Sequence, residues 1–313
     1  MKKNKKVLVA VSVIILAGIF TANYAYKKYK TFKNNCVNIS AQNQFSDKEV
    51  KKLKNLEEAA LAYIIEKIKP YVAYDENGPL KLIRLGKDYD GGYVVPEKAI
   101  DESDALFGYG IASDISFEDQ FALKYDKLSF GFDCASNPVG IKNKIKSEKC
   151  KFIHECIGTD KYIYNNQKSS ELVSTFSQQI NKLGLNDKKI LIKMDIEGAE
   201  YESMDSILDN AENITGIVIE VHFADDITQI IKLIDLINKI EKNFKLVHLH
   251  ANNAGPAPFD SPNLIGKIPR IIELTYINNN LVKKYEPMKD LKFPKEIDMK
   301  NLSKANDYFY EIK

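Results

Sequence analysis

The sequence lacks the basic excess from which a nucleic-acid surface is built: 45 Lys and Arg face 43 Asp and Glu, a net charge of +2 over 313 residues. Even that surplus is local. Residues 1–33 carry eight lysines (Lys2, Lys3, Lys5, Lys6, Lys27, Lys28, Lys30 and Lys33) and no acid, and taking these eight from the net +2 leaves −6 for the remainder. Phosphate backbones require a basic footprint, so nucleic acid is excluded as the expected partner, while small molecules and glycans stay open. Cysteine is scarce too. Cys36, Cys134, Cys150 and Cys156 contain no Cys-x-x-Cys pair and no paired zinc-ligand spacing, so they read as reduced, structural thiols. Only Arg84 and Arg270 among the 45 basic residues are arginine, a bias that fits an AT-rich bacterial genome. A hydrophobic fraction of 44% and a charged fraction of 28% exclude a disordered, collagen-like or wholly membrane-embedded chain.

A long apolar run extends from Val7 to Tyr26 between lysine clusters. About 20 residues at 1.5 Å each span a bilayer, and no A-x-A-like cleavage site precedes Lys27. The run is therefore expected to be an uncleaved single-pass anchor in a bacterial inner membrane. Four lysines precede it and four follow closely, which leaves its orientation open. Residues 1–6 form the expected tail and 27–45 a polar stalk. Ser46-Asp47-Lys48-Glu49 has the form of a capping box, and Val50, Leu53, Leu56, Ala60, Ile64 and Ile68 recur at helical spacing up to Pro70. An amphipathic helix and connection over 46–79, a main domain over 80–285 and a C-terminal tail over 286–313 complete the expected division.

After Pro79, short apolar runs (LKLIRL, DALFGYGI, KLSFGF, CKFIHECI, KKILIKMDI, ITGIVIEVHF, FKLVHLH, RIIELTYI) alternate with helical stretches. That alternation predicts an α/β fold, a Rossmann-like doubly wound and mainly parallel sheet. In such sheets ligands bind at the carboxyl ends of the strands. The first end holds Gly108, Tyr109 and Gly110, where glycine lets the backbone turn tightly. Asp133 closes the next strand 23 positions after Gly110, the spacing at which a carboxylate accepts two ribose hydroxyls. The third glycine of G-x-G-x-x-G is replaced by Ser113, so a cofactor with ribose but no pyrophosphate, S-adenosylmethionine, fits better than NAD. Ile157 and Asp160, near the third strand end, are candidate neighbours of its adenine.

The fourth strand end, Asp195-Ile196-Glu197-Gly198-Ala199-Glu200, gathers three carboxylates. Mutual repulsion disfavours that arrangement unless they serve a ligand, a cation or a helix start. Three of the four histidines sit at two later strand ends, Glu220-Val221-His222 and His248-Leu249-His250, where an imidazole with a reference pKa near ~6.5 could take a proton from a hydroxyl. His222 is slightly preferred as that base, and His250 is expected one strand further out. Asp195, Glu220 and His222 could also ligate a divalent cation.

The stretch Ile190–Glu200, with its D-x-E-G-A-E element, resembles the signature of FkbM-type methyltransferases, and Arg84–Tyr93 (RLGKDYDGGY) is similar to the leading segment of one bacterial branch of that family. The resemblance covers about residues 80 to 280. It implies an S-adenosylmethionine-dependent class I methyltransferase fold and methylation of a hydroxyl, on a carbohydrate-like or lipid-linked acceptor at the membrane. Gly108, Gly110 and Asp133 would then serve the cofactor, and Asp195, Glu197, His222 and His250 the acceptor. Many members carry a D-x-G-A-N-x-G turn where this chain has Gly108–Ser113. A non-catalytic binding or scaffold protein on the same fold is the competing reading, and a nucleotide-sugar oxidoreductase a weaker one.

Overall fold

A computed structural model describes residues 47–158, 172–223, 227–255 and 258–313. The expected anchor, tail and stalk, the Ser46 cap and Asp160 lie outside them. Among the described residues no helix is long and apolar enough to cross a membrane.

The centre is a seven-stranded sheet: β1 (Ala105–Tyr109), β2 (Leu128–Phe132), β3 (Cys150–Ile153), β4 (Ile190–Met194), β5 (Ile214–His222), β6 (Phe244–Ala251) and β7 (Ile271–Asn278). Their spatial order is β3-β2-β1-β4-β5-β7-β6. Strands β3 to β5 pair in parallel, whereas β7 runs antiparallel to both β5 and β6. Parallel neighbours need a crossover connection. No helix of the described residues lies between β6 and β7; β7 returns antiparallel, and it separates His250 from β5 by two strand positions instead of the expected one. Strand β4 shows why the apolar runs are strands. Its side chains alternate, with Ile190, Ile192 and Met194 entering one core and Leu191 the other, so both faces are covered.

Helix α1 (Asp47–Lys67) buries Ala60, Leu61, Ile64 and Ile65. Helix α2 (Ser116–Tyr125) follows β1, and α3 (Phe176–Lys182) starts on a capping box formed by Thr175 and Gln178. Helix α4 (Glu200–Leu208) links β4 to β5, and α5 (Ile227–Ile240) links β5 to β6. Helices α1 and α5 pack together, joined by a Tyr63 hydroxyl donating to Asn238 Oδ1 at 3.2 Å. The opposite face carries α2 and a hairpin of Leu82–Leu85 with Tyr93–Pro96.

Three expectations are corrected. The connection 68–79 holds strands at Tyr71–Asp75 and Gly78–Pro79. The segment 286–313 is no tail: Lys284–Pro287 pairs with Tyr71–Asp75, and Tyr310–Ile312 lies between Leu264–Gly266 and Lys292–Phe293. Its lysine-rich composition hides Phe293, Tyr310 and Ile312, which are buried in the core. Finally, Cys134 and Cys156 form a disulfide. The pairing of β2 with β3 brings their Cα atoms to 5.0 Å, within bridging range, which sequence spacing alone does not reveal. Cys150 is buried and free, and burial pushes its thiol up to about 12.

Candidate functional site

The carboxyl ends of β1, β2 and β4 are locked together by backbone contacts. Asp195 N–H donates to Tyr109 O and Gly110 N–H to Phe132 O, each at 3.1 Å. Gly110 has φ +78°, and a Cβ there would lie 1.5 Å from Asp195 O. Only glycine allows this approach. Ala112, at φ +46°, continues the turn. Asp133 is buried, and its carboxylate accepts from the N–H groups of Ala112 (2.7 Å), Ala135 (2.7 Å) and Ser136 (2.9 Å). It therefore pins the β1 turn to the β2 turn. The disulfide follows immediately, tying this loop to the segment after β3.

The other cofactor candidates occupy different surroundings. The Tyr109 ring is in the core, stacked on Phe132, with its hydroxyl donating to Gln179 Oε1 at 2.8 Å. Gly108 makes room for Glu118, whose Oε1 would lie 1.9 Å from a Cβ at that position. Ile157 packs in the core and pairs with Ser174. Buried Glu118 escaped the sequence reading because nothing in a helical stretch marks one acid as facing inward. Burial pushes its carboxyl up to about 7, with Lys193 pulling the other way.

At the mouths of β4 and β5 the structure brings Asp195, Glu197, Glu200, Glu220 and His222 together. His222 Nε2 is 3.2 Å from Glu220 Oε1 and 3.3 Å from Glu197 Oε2, and Nδ1 is 3.2 Å from Glu200 Oε1. Burial works against a charge on this imidazole, but the bonds to Glu200 and Glu220 outweigh it and raise it to about 10. These carboxylates favour the protonated ring, whereas the expected role of base calls for the neutral one. Glu220 is pushed up to about 7 by its burial, and its Oε2 accepts from Asn252 Nδ2 at 2.9 Å. Asp195 Oδ2 accepts from the Tyr93 hydroxyl at 2.9 Å, while its Oδ1 is buried with no hydrogen-bond partner among the described residues. Ligand atoms of Asp195, Glu220 and His222 lie within 4.8 Å of one another.

His250 belongs to a second cluster, on β6 and β7. Its Nδ1 lies 3.2 Å from Glu273 Oε2 and its Nε2 3.9 Å from Asp307. Burial opposes its charge, yet Glu273 and Asp307 raise it well above the ordinary histidine value. Asn301 Nδ2 donates to Glu273 Oε1 at 2.7 Å, and His248 Nε2 lies 2.8 Å from Asp298 Oδ1. The C-terminal segment thus supplies Asp298, Asn301 and Asp307 and covers both histidines. Tyr93, Glu273 and these three residues were missed, since their roles depend on contacts 23 to 102 positions apart along the chain.

No protein-family model and no curated protein matches the chain. Solved structures similar to it include the fibrillarin pre-rRNA processing protein of Methanococcus jannaschii (13% identity over 64% of this chain and 82% of that one, TM-score 0.36). Others are the plantazolicin methyltransferase BpumL in complex with SAH (9%, 75% and 92%, 0.28) and a 16S rRNA (adenine(1408)-N(1))-methyltransferase from Catenulisporales acidiphilia with cosubstrate SAM (8%, 66% and 100%, 0.28). At these identities and TM-scores the likenesses assign neither fold nor function. The strand order, with β7 antiparallel between β5 and β6, makes the sheet mixed and mainly parallel.

Proposed function

We propose that the chain is an S-adenosylmethionine-dependent O-methyltransferase of the FkbM type. The observation that carries this reading is the convergence, at the carboxyl ends of β1, β2 and β4, of the Gly110 turn, the Asp133-pinned loop and the partnerless Asp195 Oδ1. A buried acceptor without a donor costs stability, and a ligand hydroxyl or cation at Asp195 would remove that cost. Bound at this edge, S-adenosylmethionine supplies an electrophilic methyl group. The chain's own residues align the acceptor oxygen and manage its proton. Asp195 Oδ1 receives that proton, Tyr93 orients the carboxylate through Oδ2, and the His222 imidazolium offsets the negative charge of Glu197, Glu200 and Glu220. His250, closed in under the C-terminal segment, has a positioning role. Calorimetry of the full chain with S-adenosylmethionine, S-adenosylhomocysteine and NAD tests the reading. Binding of S-adenosylhomocysteine but not NAD is expected, and binding of neither would leave the scaffold reading.

A second reading places a divalent cation on Asp195, Glu220 and His222, favoured by the proximity of their donor atoms. In that reading the cation would lower the acceptor hydroxyl's pKa, and a chelator would stop turnover. The acceptor is carbohydrate-like or lipid-linked and lies at a membrane that holds the chain by Val7–Tyr26. Retention of the full chain on membranes through alkaline washing tests the anchor.

A further inference from the structure

The Cys134–Cys156 disulfide lies where the nucleoside half of the cofactor is expected. Cys134 directly follows Asp133, the candidate ribose carboxylate, and Cys156 directly precedes Ile157, the candidate neighbour of the adenine. The bond also completes a ring of contacts through three strand ends. Tyr109, at the end of β1, donates its hydroxyl to Gln179 Oε1 at 2.8 Å, and Gln179 Nε2 donates to Cys156 O at 3.4 Å. The disulfide crosses from Cys156 to Cys134, and Asp133 returns to the β1 turn by accepting from Ala112 N–H at 2.7 Å. Ser136 Oγ adds a bond to Ala112 O. His154 Nε2, 3.0 Å from Cys134 O, is a further tie between the loop after β2 and the segment after β3.

Three features make this bond exchangeable. Small domains need disulfides because their cores are small, whereas here cores on both faces of a seven-stranded sheet hold the fold. Both cysteines are half-buried, beside exposed Ala135 and His154, so a reductant can reach a sulfur. Finally, Cys134 N–H points at Cys156 Sγ from 3.1 Å. A thiolate leaving on Cys156 meets a hydrogen-bond donor there, and better-stabilised thiolates leave faster. The neighbouring Glu155 is paired with Lys182 Nζ at 2.8 Å, which offsets its repulsion of that charge.

We propose that Cys134–Cys156 is a thiol-exchange site at which a dithiol reductant opens the nucleoside wall and lowers cofactor affinity. This rests on the methyltransferase reading and adds a control to it. A thiolate of the reductant attacks Cys134 Sγ, the S–S bond breaks, and its electron pair leaves on Cys156 Sγ, which takes up a proton. The reductant's second thiolate then attacks its partner sulfur in the mixed disulfide, and Cys134 leaves as a thiolate that is protonated in turn. The protein gains two electrons and two protons, and the dithiol, now an internal disulfide, loses both. With the bond open, Cys134 and Cys156 are held by hydrogen bonds alone. The loop carrying Asp133 then gains conformations that do not match the ribose, and the fraction of chains ready to bind falls. Linkage requires the reverse as well: a cofactor that prefers the oxidised wall makes the disulfide harder to reduce by the same factor.

Calorimetry of S-adenosylhomocysteine against the full chain in detergent tests the proposal, with the disulfide intact and after reduction by dithiothreitol, while circular dichroism follows the fold of both forms. Affinity should fall roughly tenfold or more on reduction and return on reoxidation. A bond that only stabilised the fold would leave the affinity of the folded, reduced chain unchanged. The double variant Cys134→Ala with Cys156→Ala should bind like the reduced chain and ignore dithiothreitol. In a dithiothreitol redox buffer, with alkylation and mass spectrometry reading the two cysteines, saturating S-adenosylhomocysteine should lower the disulfide's potential by about 30 mV for each tenfold in affinity. Equal affinity in the two forms, a potential that the ligand does not move, a bond that dithiothreitol leaves intact in the folded chain, or unfolding on reduction each overturns the exchange site and leaves the methyltransferase reading standing. No binding to the oxidised chain overturns both.

Discussion

Replacing His222 by Gln keeps a hydrogen-bond donor in the cluster and removes its charge. In the folded protein the imidazolium has two buried partners, Glu200 Oε1 and Glu220 Oε1, each at 3.2 Å. Glu197 is a third at 3.3 Å, but its side chain is 84% exposed, so solvent screens that pair and it is counted as negligible. Removing one partner of a buried ion pair costs ~3–5 kcal/mol. With one hydrogen bond retained, a loss of about 3 kcal/mol is expected just above pH 7, where Glu220 is ionised. The folded value of about 10 lies above the ordinary imidazole value, so the charge's stabilising effect is fully present below ~6.5 and is lost as pH rises through about 10. The gap between wild type and His222→Gln should therefore narrow steadily between pH 7 and 10. Glu220, raised to about 7, also lowers stability as pH rises, but between its ordinary carboxylate value and about 7, below that window. Urea unfolding followed by circular dichroism at unit pH steps measures the gap. A difference that stays constant from pH 7 to 10, or an NMR titration of the His222 ring near 6.5, would refute the imidazolium.

Gly110→Ala combines a positive φ with overlap on a backbone oxygen and should cost ~2–5 kcal/mol, abolishing S-adenosylhomocysteine binding. At Gly108→Ala the nearest atoms belong to the Glu118 side chain and not to backbone, so it should cost less; thermal melts and calorimetry of both variants decide, and equal losses would count against the β1–β4 contact. Asp133→Ala leaves three N–H groups without their acceptor, so it should lower S-adenosylhomocysteine affinity by about 1.5–3 kcal/mol together with the melting temperature. Weakened affinity with an unchanged melting temperature would separate ligand contact from loop pinning. Reducing the Cys134–Cys156 disulfide, which spans 22 positions, should cost about 3 kcal/mol through restored chain entropy. Melting with and without dithiothreitol reads that loss.

Much of the architecture was local and therefore legible. The alternating apolar runs, the break at Pro70 and the glycine turn after β1 each follow from side-chain period or backbone sterics within a few residues. The sequence by itself determined a layered α/β fold and directed attention to strand ends, where Asp133, Asp195 and His222 indeed lie. Distance along the chain hid the rest. Whether His222 accepts or holds a proton depends on Glu200 and Glu220 pressing on it from α4 and β5, and an imidazole carries no sequence mark of its own pKa. His250 reads as an open strand end until Asp298, Asn301 and Asp307 fold over it and its neighbours. Cys134 and Cys156 look like separate thiols until β2 and β3 pair. Residue type and spacing set which groups can do chemistry, but electrostatic energy and bond formation fall off within a few ångströms, so only the tertiary packing decided which of them meet.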